Sequence, residues 1–202
     1  MRQPDFDYCV LLKRRAEQVQ MLPMFEYMLS KYPHFKDWSG SHAPMFHHYE
    51  RNGLARHTAE IVELGFSTIT TLHLENQVDP KEFFLAGLYH DAGKMFDYRP
   101  VTTDFSQWTS TEHRRLIHHL PRSVIIFHDA AVENSLPKSL EDNVIHAILA
   151  HHGCREAGSP VAPKSRVAWL LHLCDGLSAR MDDCERFDIV KPPLLSNPSS
   201  RK

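Results

Sequence analysis

The sequence predicts an all-α fold built as a single domain. Three observations predict it. Apolar residues recur at helical spacing through six stretches. Proline- and glycine-rich segments fall between those stretches, and no run shows the strict alternation of a half-buried strand. At 202 residues with 42% hydrophobic and 24% charged residues, the chain suits one globular domain with a sizeable core.

The elements follow in order. Val10 to Ser30 carries Val10, Leu11, Leu12, Val19, Leu22, Phe25 and Leu29 on a helical period, and Pro23 breaks or restarts it. Pro33 to Arg51, rich in Pro, Gly, Ser and His, reads as loop. Gly53-Leu54 opens a second helix to about Leu74, with Ile61, Leu64, Ile69 and Leu72 on one face and His57 in its first turns. Asp79-Pro80 is a helix start, Asp as N-cap and Pro at the first helical position. That helix carries Phe83, Phe84, Leu85 and Leu88 and is expected to end at Gly93 as a C-terminal glycine, with His90 and Asp91 in its last turn. Met95 to Trp108 reads as loop. A helix from about Thr111 to His128 is expected to break or kink at Pro121. Ser139 or a neighbour caps a helix through His151 that stops at Gly153, so His151-His152 repeats the arrangement of His90-Asp91. Glu156 to Pro163 is loop, and Lys164 to Met181 is the last strong helix, with Asp175 among its leucines. From Lys191 onward Pro, Ser and Asn predict a disordered tail.

Composition limits the function classes. Net charge is −2 with histidine neutral, so no global basic field draws in nucleic acid and any such binding is local to a cleft. Lys13-Arg14-Arg15 and Arg114-Arg115 read as solvated helix faces. Cys9, Cys154, Cys174 and Cys184 form no C-x-x-C pair, against a zinc ribbon. The first residues are polar, and no apolar run is long enough to span a membrane. These features predict a cytoplasmic setting with free thiols.

Histidine is the anomaly. There are 15, with doublets at His47-His48, His118-His119 and His151-His152. The candidate ligands in chain order are His57, His90, Asp91, His118 or His119, His151 or His152, and Asp175, drawn from five predicted helices. Imidazole and carboxylate donors suit hard or borderline divalent metals. A carboxylate has two oxygens, so Asp91 can bridge two ions. Asp175 amid leucines would be a costly buried charge unless paired or metal-bound. Singly, each has an ordinary explanation: Asp175 could pair with Arg180, and His151-His152 could be a cation-favouring helix end. Their joint order, with two matching helix ends, points to a metal site.

That order, H…HD…H…HH…D over a helical domain, resembles the HD superfamily of metal-dependent phosphohydrolases. It is most similar to the branch of 3′–5′ exoribonuclease HD proteins. The stretch Ala43-Pro44-Met45-Phe46-His47-His48-Tyr49-Glu50-Arg51-Asn52-Gly53-Leu54-Ala55-Arg56-His57-Thr58 resembles that branch through its first ligand. Leu116-Ile117-His118-His119-Leu120 resembles its Leu-Leu-Gly-His-Ile, which places the third ligand at His119. Ala150-His151-His152-Gly153, Gly158-Ser159-Pro160-Val161 and Leu171 to Ala179 follow its closing segment, so the likeness covers Ala43 to Asp182. Two departures stand out. Arg56 and Asn52 occupy positions where the branch tends to have Glu and Gly. About forty residues that read as helical precede the match, where the branch carries an OB-fold.

The resemblance implies a helical extension at 1–42, an HD-domain bundle at 43–185 with the metal site in its core, and a flexible tail at 186–202. It implies hydrolysis of phosphoester bonds of single-stranded nucleic acid ends or nucleotides, 3′–5′ exonuclease-like, with two divalent ions. The first ion would be held by His57, His90, Asp91 and Asp175, the second by Asp91, His119 and His151. Lys94 would bind a phosphate oxygen, and His152 would be a substrate contact or general acid. Manganese is the metal the resemblance favours, and the N/O donors also admit Fe, Ni, Co, Zn or Mg. Two other functions use the same residues: a di-iron oxygenase, and a non-catalytic nucleotide-binding module.

Overall fold

Pro23 divides the first predicted helix in two. The structure, a computed structural model, describes residues 6–187. Helix α1 (Tyr8–Gln18) ends before a turn, and α2 (Leu22–Lys31) restarts with Pro23 in its first turn, where its missing N–H costs nothing. A 3₁₀ turn over Pro33–Asp37 and irregular chain lead to α3 (Gly53–Thr71). Then come α4 (Pro80–Tyr89), the single turn α5 (Lys94–Asp97), strands β1 (Tyr98–Pro100) and β2 (Trp108–Ser110), α6 (Glu112–Leu116), α7 (His119–Glu133), α8 (Lys138–Ala150) and α9 (Arg166–Phe187). Of the expected tail, residues 186 and 187 close α9 and residues 188–202 lie outside the described residues.

Helix α4 is the centre of the packing. Its cap is as expected: the Asp79 side chain accepts the Lys81 N–H at 2.8 Å and Pro80 follows. Phe83, Phe84, Leu85, Ala86, Leu88 and Tyr89 are all fully buried, so the helix is apolar all round and is enclosed by α3, α7, α8 and α9. Helices α1 and α2 join the same core through Leu12, Met24, Phe25 and Met28, and the Tyr89 hydroxyl donates to the Met24 carbonyl at 2.7 Å. Among the described residues no helix is long and apolar enough to cross a membrane.

The structure corrects three expectations. Residues 95–108 are not all loop: β1 and β2 pair antiparallel, with Arg99 opposite Thr109. Three-residue strands are too short to display an alternating pattern. The chain breaks between α6 and α7 at Ile117-His118, where His118 has φ +71°, and not at Pro121, which sits in the first turn of α7. Gly93 is not a left-handed helix stop, since its φ is −62°. Its lack of a side chain serves a close approach instead: a Cβ there would collide with the backbone carbonyl of His119. Gly153 does follow the expected pattern, with φ +93° just past α8.

Candidate metal centre

The ends of α4 and α8 use one local device. His90 follows α4 and His151 follows α8. Each turns its ring back so that Nδ1–H donates to the carbonyl three residues earlier, Gly87 at 2.8 Å and Ile148 at 2.7 Å. That bond sets the tautomer and leaves the Nε2 lone pair of each ring facing inward. Helix α3 reaches the same result with His57 through a different partner. The Ser178 hydroxyl on α9 donates to Glu60 Oε2 at 2.6 Å, so its oxygen accepts from His57 Nδ1–H at 3.0 Å and Nε2 is again left free.

These nitrogens converge on Asp91. Asp91 Oδ2 lies 3.5 Å from His57 Nε2 and 3.3 Å from His90 Nε2. Its Oδ1 lies 3.4 Å from His119 Nε2 and 3.7 Å from His151 Nε2. Asp175 Oδ1 stands 3.0 Å from His57 Nε2, on the Oδ2 side. The two oxygens of one carboxylate thus face two separate groups of imidazoles. His57, His90 and His151 are fully buried, and Asp91 and His119 nearly so.

The donor set fits divalent metal. Nε2 of His57, His90, His119 and His151 and Oδ1 of Asp91 are buried and make no hydrogen bond. Such atoms are costly in a dry interior unless something coordinates them. His57, His90, Asp91 and Asp175 bring ligand atoms within 4.8 Å of one another, as do His119, His151 and His152. Burial pushes His119 down to about 4 and His151 down to about 3, so both are neutral imidazoles at pH 7, the form that can ligate a metal. Burial acts to raise Asp91, but the Lys94 ammonium and the His90 imidazole outweigh it and hold the carboxyl well below its usual range. Asp175 is likewise held low by His57 against its burial.

Every candidate from the sequence lies in or beside this cluster. His119 faces Asp91, whereas His118 groups with Asp97 and His119. His151 faces Asp91, and the half-buried His152 packs edge-on against its ring, with centroids 4.2 Å apart. Lys94 is buried with Nζ 2.6 Å from Asp91 Oδ2, so its ammonium is engaged with that carboxylate. Sequence reasoning missed the supports. Glu60 and Ser178 stand behind His57. Asp97 stands behind His119, with Oδ2 3.4 Å from Nδ1, and is itself held by His113 at 2.8 Å. Arg122 in turn donates to His113 Nε2 at 3.0 Å. The available signal was spacing: Glu60 lies three residues after His57 and Ser178 three after Asp175, each on the same helix face as its ligand.

Asn52 and Arg56, the residues at which the sequence departs from the branch, also find physical roles. Asn52 precedes α3 at φ +63°, a left-handed conformation that Gly and Asn both adopt. Arg56 is buried and pairs with Glu50 at 2.8 Å, Glu60 at 3.2 Å and Asp182. It therefore anchors the carboxylate that supports Ser178.

Residues 45–180 match the HD domain family, and the chain belongs to that family. The curated relatives it matches include proteins named 3'-5' exoribonuclease YhaM. That of Geobacillus sp. is 31% identical over 172 residues, 82% of this chain and 49% of the relative. That of Bacillus pumilus is 32% identical over 171 residues, 82% of this chain and 51% of the relative. The Bacillus subtilis protein is 31% identical over 148 residues, 72% of this chain and 45% of the relative. The chain thus spans about half the length of the curated relatives it matches. No solved structure matches it.

Proposed function

We propose that the chain is a metal-dependent phosphohydrolase that cleaves phosphoester bonds of single-stranded nucleic acid ends or nucleotides, acting as a 3′–5′ exonuclease. The observation that carries this reading is Asp91, whose two oxygens face two groups of unpartnered imidazole nitrogens. The names of the relatives supply the direction and the polymer. His57, His90, Asp91 and Asp175 would hold one divalent ion, and Asp91, His119 and His151 a second. When bound, such ions polarise a phosphoryl oxygen and supply a nucleophile at neutral pH. Manganese is the metal we propose.

The protein's own groups do the rest. Lys94, paired with Asp91, keeps the carboxylate ionised and brings a fixed positive charge beside the phosphate. His152 is pushed down to about 3 by burial and by the neighbouring His151, so it meets the substrate as a neutral imidazole. That favours contact with the substrate over storage of a proton. The site lies within 43–185, with 1–42 as a helical extension. The described cysteines Cys9, Cys154 and Cys174 are unpaired, in keeping with a reducing cytoplasm.

The test is metal analysis of the purified protein with a hydrolysis screen over bis-p-nitrophenyl phosphate, nucleotides and short single-stranded RNA and DNA. Metal-dependent release of mononucleotides from the 3′ end is expected, and Asp91→Ala should abolish it. Full activity in that variant, or no hydrolysis with any divalent metal, would overturn the reading. Oxygen-dependent turnover by an iron-loaded form would replace it with the oxygenase alternative.

A further inference from the structure

A hollow of about 340 Å³ opens beside the histidine–aspartate cluster, lined by Ser110, Thr111, Arg114, Arg115 and His118. His118 fixes its position relative to the ligands, since its ring centroid lies 4.2 Å from that of His119. No carboxylate lines the hollow. Of the two acids near it, Asp97 is engaged with His113 at 2.8 Å, and Glu112 pairs with the lining residue Arg115 at 3.0 Å. The second pair is exposed on both sides, so its carboxylate is easily exchanged for another anion.

Arg114 is the telling residue. Its sequence neighbourhood reads as a solvated helix face, yet the side chain is half-buried. Its Nη1 donates to Ser110 Oγ at 3.1 Å and to His42 Nε2 at 3.0 Å, and the guanidinium carbon lies 5.8 Å from the Tyr98 ring centroid. These partners are neutral, and among the described residues no carboxylate pairs with it. A guanidinium held in one orientation with its charge uncompensated is prepared for an anion. An aromatic stack continues from it: Tyr98 to His42 at 5.6 Å, then His42 to Phe46 at 4.9 Å. Phe46 at the outer end is 42% exposed.

We propose that this hollow is a second phosphate subsite, which takes the backbone phosphate of the nucleotide adjoining the one cleaved, while Phe46 offers a stacking face to a base. The ligand is a single-stranded oligonucleotide, bound through charge and stacking without base readout. The inference rests on the phosphohydrolase reading for its orientation toward the metal cluster. It explains how a chain of net charge −2 could hold a strand: the positive charge is local.

The experiment uses the full chain in two arms. In the first, binding of a short fluorescein-labelled oligoribonucleotide is followed by anisotropy in EDTA across a salt series, so that no hydrolysis is required. Arg114→Ala and Arg115→Ala should each weaken binding about tenfold and flatten the log–log salt slope by about one. Arg114→Lys, which keeps the charge, should restore the slope. Arg115 is exposed and, among the described residues, pairs only with Glu112, so its variant serves where Arg114→Ala fails to fold. In the second arm, the ratio of kcat/KM for the oligonucleotide to that for bis-p-nitrophenyl phosphate should fall about tenfold in Arg114→Ala. Unchanged slopes and affinities in both alanine variants would overturn the subsite. Equal loss of affinity for a nucleoside triphosphate would overturn the strand and assign the hollow to free nucleotides. Absence of hydrolysis in wild type would defeat the phosphohydrolase reading alone, because the binding arm still decides.

Discussion

Ser178→Ala tests the support behind His57 in a way that separates metal binding from folding. The serine is 2% exposed and its oxygen is the acceptor for His57 Nδ1–H at 3.0 Å. Without it the metal-free protein has an easy escape. His57 changes tautomer and donates from Nε2 to Asp175 Oδ1, which already lies 3.0 Å away. The metal-free fold therefore loses little, about 1 kcal/mol or less. Metal binding removes the escape, because Nε2 must present its lone pair and the proton returns to a buried Nδ1 with no acceptor. An unsatisfied buried donor costs about 1–3 kcal/mol, and about 1.4 kcal/mol is tenfold in affinity. Metal affinity should thus fall about 10- to 100-fold, the range seen when outer supports of a metal ligand are removed. The assay is calorimetric titration of the EDTA-stripped variant with manganese, beside urea unfolding of the same metal-free sample. Wild-type affinity would refute the tautomer argument. An equal loss of stability in the metal-free and metal-loaded forms would show that Ser178 acts only in packing.

Two further outcomes are expected. Gly93→Ala places a methyl group against the His119 carbonyl, so the first turn of α7 must move away from the Asp91 turn. A destabilisation of about 1–3 kcal/mol in urea unfolding is expected, with weaker metal binding; a wild-type unfolding midpoint would refute the contact. Stability of the metal-free protein should fall with acidity. Burial pushes His119 down to about 4, and His151 and His152 down to about 3, from an ordinary value of 6.5. The unfolded chain takes up these protons first. Their contribution is therefore full above pH 6.5 and is lost as pH falls toward those values, at up to about 1.4 kcal/mol per group per pH unit. His57 runs the other way. Burial lowers it, but hydrogen bonds to Asp175 and Asp91 raise it overall, so its contribution is present below 6.5 and lost as pH rises through its folded value. His47, pushed down to about 2, and His48 act in the same direction as these three, so the groups held down outweigh His57; a lower urea midpoint is expected near pH 5 than near pH 7.5 in EDTA, and equal midpoints would refute the sum.

What could be read in advance depended on whether a feature was local. The Asp79-Pro80 cap, the restart at Pro23 and the helix-borne positions of His57 and Asp175 are set by neighbours in the chain, and all appear in the structure. Features set by distant contacts were not legible. Nothing at Ile117-His118 resembles a helix breaker, yet the chain breaks there. Arg114 reads as a solvated helix face in one dimension, yet its guanidinium lies beside Tyr98, and nothing in the sequence marks Arg56 as buried among Glu50, Glu60 and Asp182.

The two glycines after the histidine-bearing turns show why the same signal can carry two causes. Gly153 is needed for its positive φ, and Gly93 for the space that the α7 backbone occupies. The difference matters for the site. His151 is aimed by its own helix end, through Ile148. Asp91 belongs to no helix: it lies in the turn between α4 and α5. Its neighbour Gly93 donates its N–H to Ser123 Oγ of α7 at 2.9 Å and leaves the His119 carbonyl room to approach. The carboxylate that faces both groups of imidazoles is therefore placed by packing against the helix that carries His119, so the two sides of the centre are assembled by one contact.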